Sequence, residues 1–474
     1  MRQTTVWRNE WRLLLADRAP WVLAVLFTAV ALYGAWNGRQ WSSFQRAAVA
    51  DIRRTDGERL GKLDSLLQRA EGDSTVSVPP AGALGASGAT THAILDVPPL
   101  GGLAVGASDL HPYYARVSVR SKASFMATDE VENPHNLLAG RFDLVFVVVW
   151  VLPLLLIALT YNTITGERDQ GTMALWRAQP VPASRVLLAK LGVRAGFVLG
   201  VACVLLGLMA WLVGVPLGDP AVLLRLLLWL GVVLLYAAFW VGVIVVVNAT
   251  ARSSAASAVL LLGSWLVVVV VIPATVSAVV SAVYPSPSRV ALTTALRAAS
   301  DEAAAQGDTA VNQFLADHPE MLQTGVLAAS NAWGRTLAQQ ERANDAMRPV
   351  YAAFDSALAA QHRAAALASM ASPAVMAQEL LHDLADRSLA RFRRFDAAID
   401  RHHEAWQTFF FQRVFGERKV RHAELASLPR FAYEDRSVGE VLAGQGGTLL
   451  ALLLPTALLW WMGWRRLQQV AVHE

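Results

Sequence analysis

The chain has 474 residues, of which 54% are hydrophobic and 16% charged, with a formal net charge of +4. So few charges exclude an ordinary soluble protein of this size, and so small a positive balance gives no footing for nucleic-acid binding. One cysteine, Cys203, excludes an internal disulfide and a thiolate metal site.

Taken in chain order, residues 1–20 form an amphipathic stretch. Trp7, Trp11, Leu14 and Leu15 recur at helical spacing, with Arg8, Glu10 and Arg12 between them. That pattern predicts a helix lying in the cytoplasmic membrane interface. An apolar block at 21–37 follows. The arginines ahead of it resemble a signal peptide, but the leader is long and no A-x-A site follows before Arg39, so the block is read as an uncleaved span. Further blocks of about the length that a hydrocarbon core asks of a helix lie at 144–161, at 186–213, 222–247 and 255–283 (together 186–284), and at 441–464. The fold class expected is therefore an all-α membrane protein with six transmembrane helices.

Orientation follows from the short flanks. Arg168, Arg177, Arg185 and Lys190, then Arg252, then Arg465 and Arg466 all fall on one side of a six-span chain. The positive-inside bias makes that side cytoplasmic and places both termini there, with the chain in a bacterial inner membrane. Residues 162–185 are then a cytoplasmic loop and 465–474 a cytoplasmic tail. Two large segments, 38–143 and 285–440, are left as periplasmic inserts that should pack into one mainly helical domain.

The first insert opens with a helical apolar pattern from Trp41 to Leu67. A Gly/Ala/Ser/Thr/Pro stretch from Gly72 to Thr91 reads as a flexible linker, and Tyr113 to Val119 as a short strand. The second insert is Ala-rich and helical, with breaks expected near Pro319, Pro349 and Pro373. Ser372-Pro373 reads as N-cap and first helical residue. From there one long helix is expected to run to Phe415, stopped by Gly416. Asp143 should cap the second span, and Pro153, Pro273 and Pro455 lie inside spans where they can kink them.

The loop after the second span carries the most information. Its run Glu167-Arg168-Asp169-Gln170-Gly171-Thr172, continuing through Leu175 and Arg177 to Gln179-Pro180 and Lys190, reads as a short polar helix with one apolar edge, followed by a turn. An ordinary charged loop obeying the positive-inside bias reads equally well on physics alone. The Glu-Arg-x-x-Gly-Thr pattern with Gln179-Pro180 and Lys190 resembles the loop signature of ABC type-2 permeases. Asn133-Pro134, Leu137-Leu138-x-Gly140-x-Phe142-Asp143, Pro153-Leu154-Leu155 and Leu428-Pro429-x-Phe431 are similar to a subfamily with two large periplasmic inserts, catalogued as a domain of unknown function. The resemblance implies that the loop is a coupling helix seated on a separate nucleotide-binding subunit. Glu167, Arg168, Gln170, Gly171, Thr172, Leu175 and Arg177 would be its coupling residues, with Gly171 permitting close backbone approach. It also implies a second permease, as homodimer or paralogous heterodimer, and membrane lipid around both. ATP and magnesium would be bound by the partner subunit, and the favoured direction is export or extrusion. A periplasmic partner is a further candidate.

This chain holds no cofactor on that reading, and no G-x-x-x-x-G-K-[ST] occurs. Gly57 with Gly61-Lys62 is one residue short in spacing, and Leu63 stands where the hydroxyl is needed. It is accordingly not expected to be catalytic by itself. Gly192, Gly196 and Gly200 form a small-residue face on the third span, read as helix packing within the bundle in preference to a subunit interface. Arg194 and Arg225 are read as snorkelling to the interfaces. His362, His382, His402, His403 and His422 lie beside several acids, but His403-Glu404 lacks the second histidine of H-E-x-x-H. No metal site is therefore expected, and a membrane hydrolase is disfavoured. The other alternative is an ATP-independent scaffold organising periplasmic partners. The transported substrate is not legible.

Overall fold

The computed structural model describes residues 3–120, 142–172, 183–285, 287–317, 332–416 and 418–473. The architecture is all-α, with six helices among the described residues long and apolar enough to cross a membrane. Helix α1 (Gln3–Ala16) ends at Asp17, whose carboxylate accepts the Ala19 N–H at 3.1 Å and so starts α2. Helix α2 (Arg18–Gly72) runs 55 residues without interruption, about 80 Å at 1.5 Å per residue. The first span and the apolar pattern from Trp41 to Leu67 are one rod, which carries the chain far beyond any bilayer. Its close neighbour is the turn at 100–104: a methyl group at Gly38 would lie 2.2 Å from the Gly102 carbonyl oxygen.

The second span, α3 (144–160), is capped by Asp143, which accepts the Phe146 N–H at 2.8 Å. Short helix α4 (Thr165–Asp169) follows. Spans α5 (Ala183–Leu212), α6 (Pro220–Thr250) and α7 (Ser254–Val283) come next, and the last is α13 (Val438–His473). Both α3 and α7 widen into a π turn just ahead of a proline, at Val147–Val151 before Pro153 and at Val267–Val271 before Pro273. Proline has no N–H to give and crowds the preceding turn. The carbonyls it leaves are met by hydroxyls from neighbouring helices. Tyr236 Oη donates to Val149 O at 2.9 Å, and Ser372 Oγ donates to Val268 O at 2.8 Å. Pro455 sits within α13 without ending it.

The second insert comprises α8 (Arg289–Gln306), α9 (Asp308–Asp317), α10 (Ala332–Ser369), α11 (Pro373–Leu384) and α12 (Leu389–Phe415). Three expectations need correction here. Pro349 does not break its helix but lies within α10. The helix expected from Pro373 to Phe415 is two helices, parted at 385–388, where Asp386 takes a φ of +52°. And the stretch from Gly72 to Thr91 is no flexible linker. It makes a helical turn at Ala81–Ala83 and a π turn at Leu84–Gly88, with Ala81, Leu84 and Ala89 in a hydrophobic core. Its glycines are small because large neighbours sit on them: Gly85 lies under Phe410 and Val119. Pro319 lies outside the described residues. Ser372 does cap α11, accepting the Val375 N–H at 3.4 Å, and α12 ends at Gly416.

Two cores result. The larger joins the spans and includes Met376, Leu380 and Leu384 of α11. The smaller gathers Leu63 and Leu67 of α2, Phe395, Trp406 and Phe410 of α12, and the strands β1 (His92–Ile94) and β2 (Tyr114–Arg116). These strands pair antiparallel, Ala93 opposite Ala115, so the strand expected at Tyr113 to Val119 is shorter.

Candidate functional site

The chain at 161–172 closes the end of the bundle that carries both termini. Helix α4 is a single turn, and its stop explains the Glu-x-x-x-Gly-Thr spacing. Gly171 takes a φ of +69°. Its N–H bonds Arg168 O at 3.0 Å, and the Thr172 N–H bonds Glu167 O at 3.0 Å. This is a Schellman cap, in which the residue after the helix must be left-handed, a conformation open to glycine at no steric cost. No atom comes within 4 Å of a methyl placed on Gly171. Within the chain the glycine serves the cap, and its open side leaves room for the close backbone approach expected of a docked subunit.

The side chains of the motif face the bundle. Glu167 accepts from Lys190 Nζ of α5 at 2.6 Å and from the Thr172 hydroxyl. Lys190 also reaches Glu10 of α1 at 3.3 Å, and both of its acids are largely shielded from solvent. Arg168 donates to Ala251 O at 2.5 Å and to Ala249 O at 3.4 Å, at the end of α6. Asp169 accepts the Ser254 N–H at 3.0 Å, at the start of α7. One short turn is thus fastened to α5, α6 and α7, and through Lys190 to α1. Gln170, the C-cap, is exposed and makes no part of this fastening. Leu175 and Arg177 lie outside the described residues.

Beneath the turn, Asn248 of α6 accepts the Ile164 N–H at 3.3 Å and donates to Thr160 O at 3.4 Å. Arg194 of α5 donates to Leu159 O at 3.1 Å and Asn162 Oδ1 at 3.0 Å. It reaches toward the end of α3 and caps its Leu159 carbonyl. Sequence reasoning passed over Glu10, Asp169 and Asn248. A lone amide near the end of an apolar span is the signal that could have found Asn248. An acid between Trp7 and Trp11 was the corresponding one for Glu10.

The small-residue face of α5 divides. Gly192 lies under the Trp7 ring, whose edge would be 3.1 Å from an added methyl, while nothing comes within 4 Å of Gly196 or Gly200. Packing within the chain accounts for Gly192, while Gly196 and Gly200 leave an open face, as the alternative of a subunit interface would require.

At the opposite end, Arg225 of α6 is buried against Asp386 and bonds the Arg436 carbonyl. It does not snorkel. Asp383 binds Arg436 at 2.8 Å and also Gln445. Arg391 clasps Asp435 at 2.6 and 2.7 Å, and buried Arg387 reaches Gln45 at 2.7 Å. Burial draws the Arg387 guanidinium down to about 9, still charged at neutral pH. Of the histidines, His422 meets Asp64 at 2.9 Å and His403 Nε2 meets the Arg120 carbonyl at 2.7 Å, while His402 is buried between Trp406 and Phe431. Among the described residues, no three His, Cys, Asp or Glu side chains gather as a metal site would require.

Residues 121–272 match the family described as ABC-2 family transporter protein, a stretch that includes α3, α4 and their fastening. Residues 289–434 match a domain of unknown function, DUF3526. No curated protein matches the chain. The chain is a multi-pass membrane protein that is similar over residues 121–272 to the family described as ABC-2 family transporter protein and over residues 289–434 to a domain of unknown function.

Proposed function

We propose that this permease subunit of an ABC transporter takes its drive from a separate ATP-binding subunit docked on the loop around α4, and that it works in export or extrusion. The observation that carries the reading is the fastening of α4 to three other helices, with α1 joined through Lys190. A push on α4 reaches α5 through Glu167 and Lys190, α6 through Arg168 and α7 through Asp169. Polar side chains committed to neighbouring spans make a rigid relay out of a five-residue turn. On this reading the end of the bundle carrying the termini is cytoplasmic, the two inserts are periplasmic, and two permeases pair with two ATPases that bind ATP and magnesium.

The test is co-purification of the chain with its ATPase, followed by comparison of ATPase retention and turnover. Glu167→Lys puts a cation opposite Lys190 and Thr172, and should lower coupled turnover at least about tenfold while the chain still inserts. Glu167→Gln, which keeps one acceptor, should lose less. If both variants retain and stimulate the ATPase as wild type does, or if no ATPase associates with the chain, the scaffold reading replaces this one.

A further inference from the structure

Helices α10 and α11 pass together as a membrane-crossing pair in length and composition, yet they bend by 117° across their junction. The turn between them sits deep. Ser372 bonds the carbonyl of Val268, which lies halfway along α7 (Ser254–Val283). From there α11 climbs within the larger core. Just past its end, Asp386 meets Arg225, five residues into α6 (Pro220–Thr250). Arg225 also bonds the carbonyl of Arg436, two residues ahead of α13. The starts of α6 and α13 therefore share one end of the bundle, and the α10–α11 hairpin enters and leaves at that end. Leu367 and Met370 near the tip are exposed, at 70% and 40%, as side chains facing lipid would be. Irregular backbone at this depth is tolerated where protein or a cavity receives it.

A cavity of about 340 Å³ lies between α10, α11 and the second half of α7. Ser277 and Ser281 line it from α7, His362 and Ser369 from α10, and Glu379 from α11. Valines 276 and 280 and alanines of α10 supply apolar wall between them. Glu379 accepts from Ser369 Oγ at 3.3 Å, and no cation among the described residues pairs with it. A carboxyl group at bilayer depth is costly and serves as a site hypothesis with a definite chemistry. An apolar body suits the valines and alanines, and a positive group suits Glu379 with the serine hydroxyls around it.

We propose that the α10–α11 hairpin is re-entrant and that this cavity binds an amphipathic organic cation, with Glu379 as the counter-charge. As the substrate site of the permease it rests on the function proposed above; as a binding site it stands without an ATPase. The full chain is placed in lipid nanodiscs and titrated with tetraphenylphosphonium, with tetraphenylborate as the anion of like shape. Wild type should bind the cation saturably and not the anion. Glu379→Gln should weaken binding at least tenfold, and Ser281→Val severalfold, with unchanged helical content. Should Glu379→Gln fail to fold, the Ser281→Val result and the preference for cation over anion decide. Absence of saturable binding, equal binding of the anion, or variants that bind like wild type would overturn the site. A spin label at Met370→Cys, in a Cys203→Ala background, should relax faster with oxygen than with a water-soluble nickel chelate. The reverse would overturn the re-entrant placement. Loss of ATPase docking with cation binding intact would refute the coupling reading and leave the cavity standing.

Discussion

Gly171 and its neighbours show how much a four-residue spacing can hold. The left-handed turn stops α4 after five residues and brings Thr172 back onto Glu167, so the acid that meets Lys190 is fixed by the cap. A Cβ in this conformation costs about 1–2 kcal/mol, and asparagine tolerates it better than alanine does. Gly171→Ala should therefore impair coupled ATP turnover more than Gly171→Asn, although asparagine is the larger residue. If bulk alone set the loss, the order would reverse and the cap would not be the reason for the glycine. Arg225 and Asp386 give a second test at this scale. Removing one partner of a buried ion pair leaves an uncompensated charge, at about 3–5 kcal/mol, whereas removing both charges can be nearly neutral. Arg225→Met should thus lower the melting temperature of the purified chain markedly. Arg225→Met with Asp386→Asn should recover much of it, since asparagine also accepts the positive φ at that position. Additive losses in the double variant would show that the two side chains are not coupled.

Among the elements, α12 makes a prediction about pH. His402 is buried between Trp406 and Phe431, and loss of hydration first, with His403 second, lowers its pKa to about 4. In the unfolded chain the ring titrates near about 6.5. As pH falls from about 6.5 to about 4, the unfolded state takes up the proton that the folded state refuses, so stability declines through that window. Above it the contribution is constant, and below it no more is lost. The melting temperature of the full chain should fall between pH 7 and 4.5, and His402→Phe should flatten that slope. An equal slope in the variant would mean that other groups carry it. The elements also mark where sequence reading stops. The apolar blocks of the spans, the Ser372 cap of α11 and the Asp143 cap of α3 are local patterns, and each appears in the structure. The break at 385–388 is not local. Periodicity runs unbroken through Leu384 and Phe392, and the break brings Asp386 to Arg225 and Arg387 to Gln45, partners far away in the chain. The Gly72–Thr91 stretch misleads for the opposite reason. A composition of small residues signals flexibility when nothing covers it, and here Trp333 over Gly82 and Phe410 over Gly85 use that smallness for close packing. In the candidate site, the motif pointed to Glu167, Arg168 and Thr172. That Glu167 meets Lys190, that Arg168 meets Ala251 and that Asp169 meets Ser254 became visible only once the spans were assembled.

For the whole molecule, the charge hub and the long rod of α2 tie the outer domain to the bundle. Arg387 and Arg391 of the 387–391 stretch hold Gln45 on α2 and Asp435 ahead of α13, while Asp386 holds α6. A motion passed from α4 into α6 would therefore arrive at the outer domain through a joint made of ion pairs, which keep two arrangements more readily than a fused apolar core does. That arrangement gives the outer domain a part in the transport cycle only if it lies across the membrane from α4. The proposed orientation puts α4 on the cytoplasmic side, which the positive-inside bias of the arginines near it and beyond α13 favours. The native cysteine, Cys203, is replaced by alanine, and single cysteines are introduced at Ser74, Asp308, Glu434 or Gln170. A membrane-impermeant thiol reagent added to cells with a permeabilised outer membrane should label the first three and leave Gln170 unlabelled until the inner membrane is opened. Labelling at Gln170 from outside would put the coupling turn and the outer domain on the same face. No push from a cytoplasmic ATPase could then travel the route from Glu167 through the spans, and both the orientation and the proposed drive would fall together.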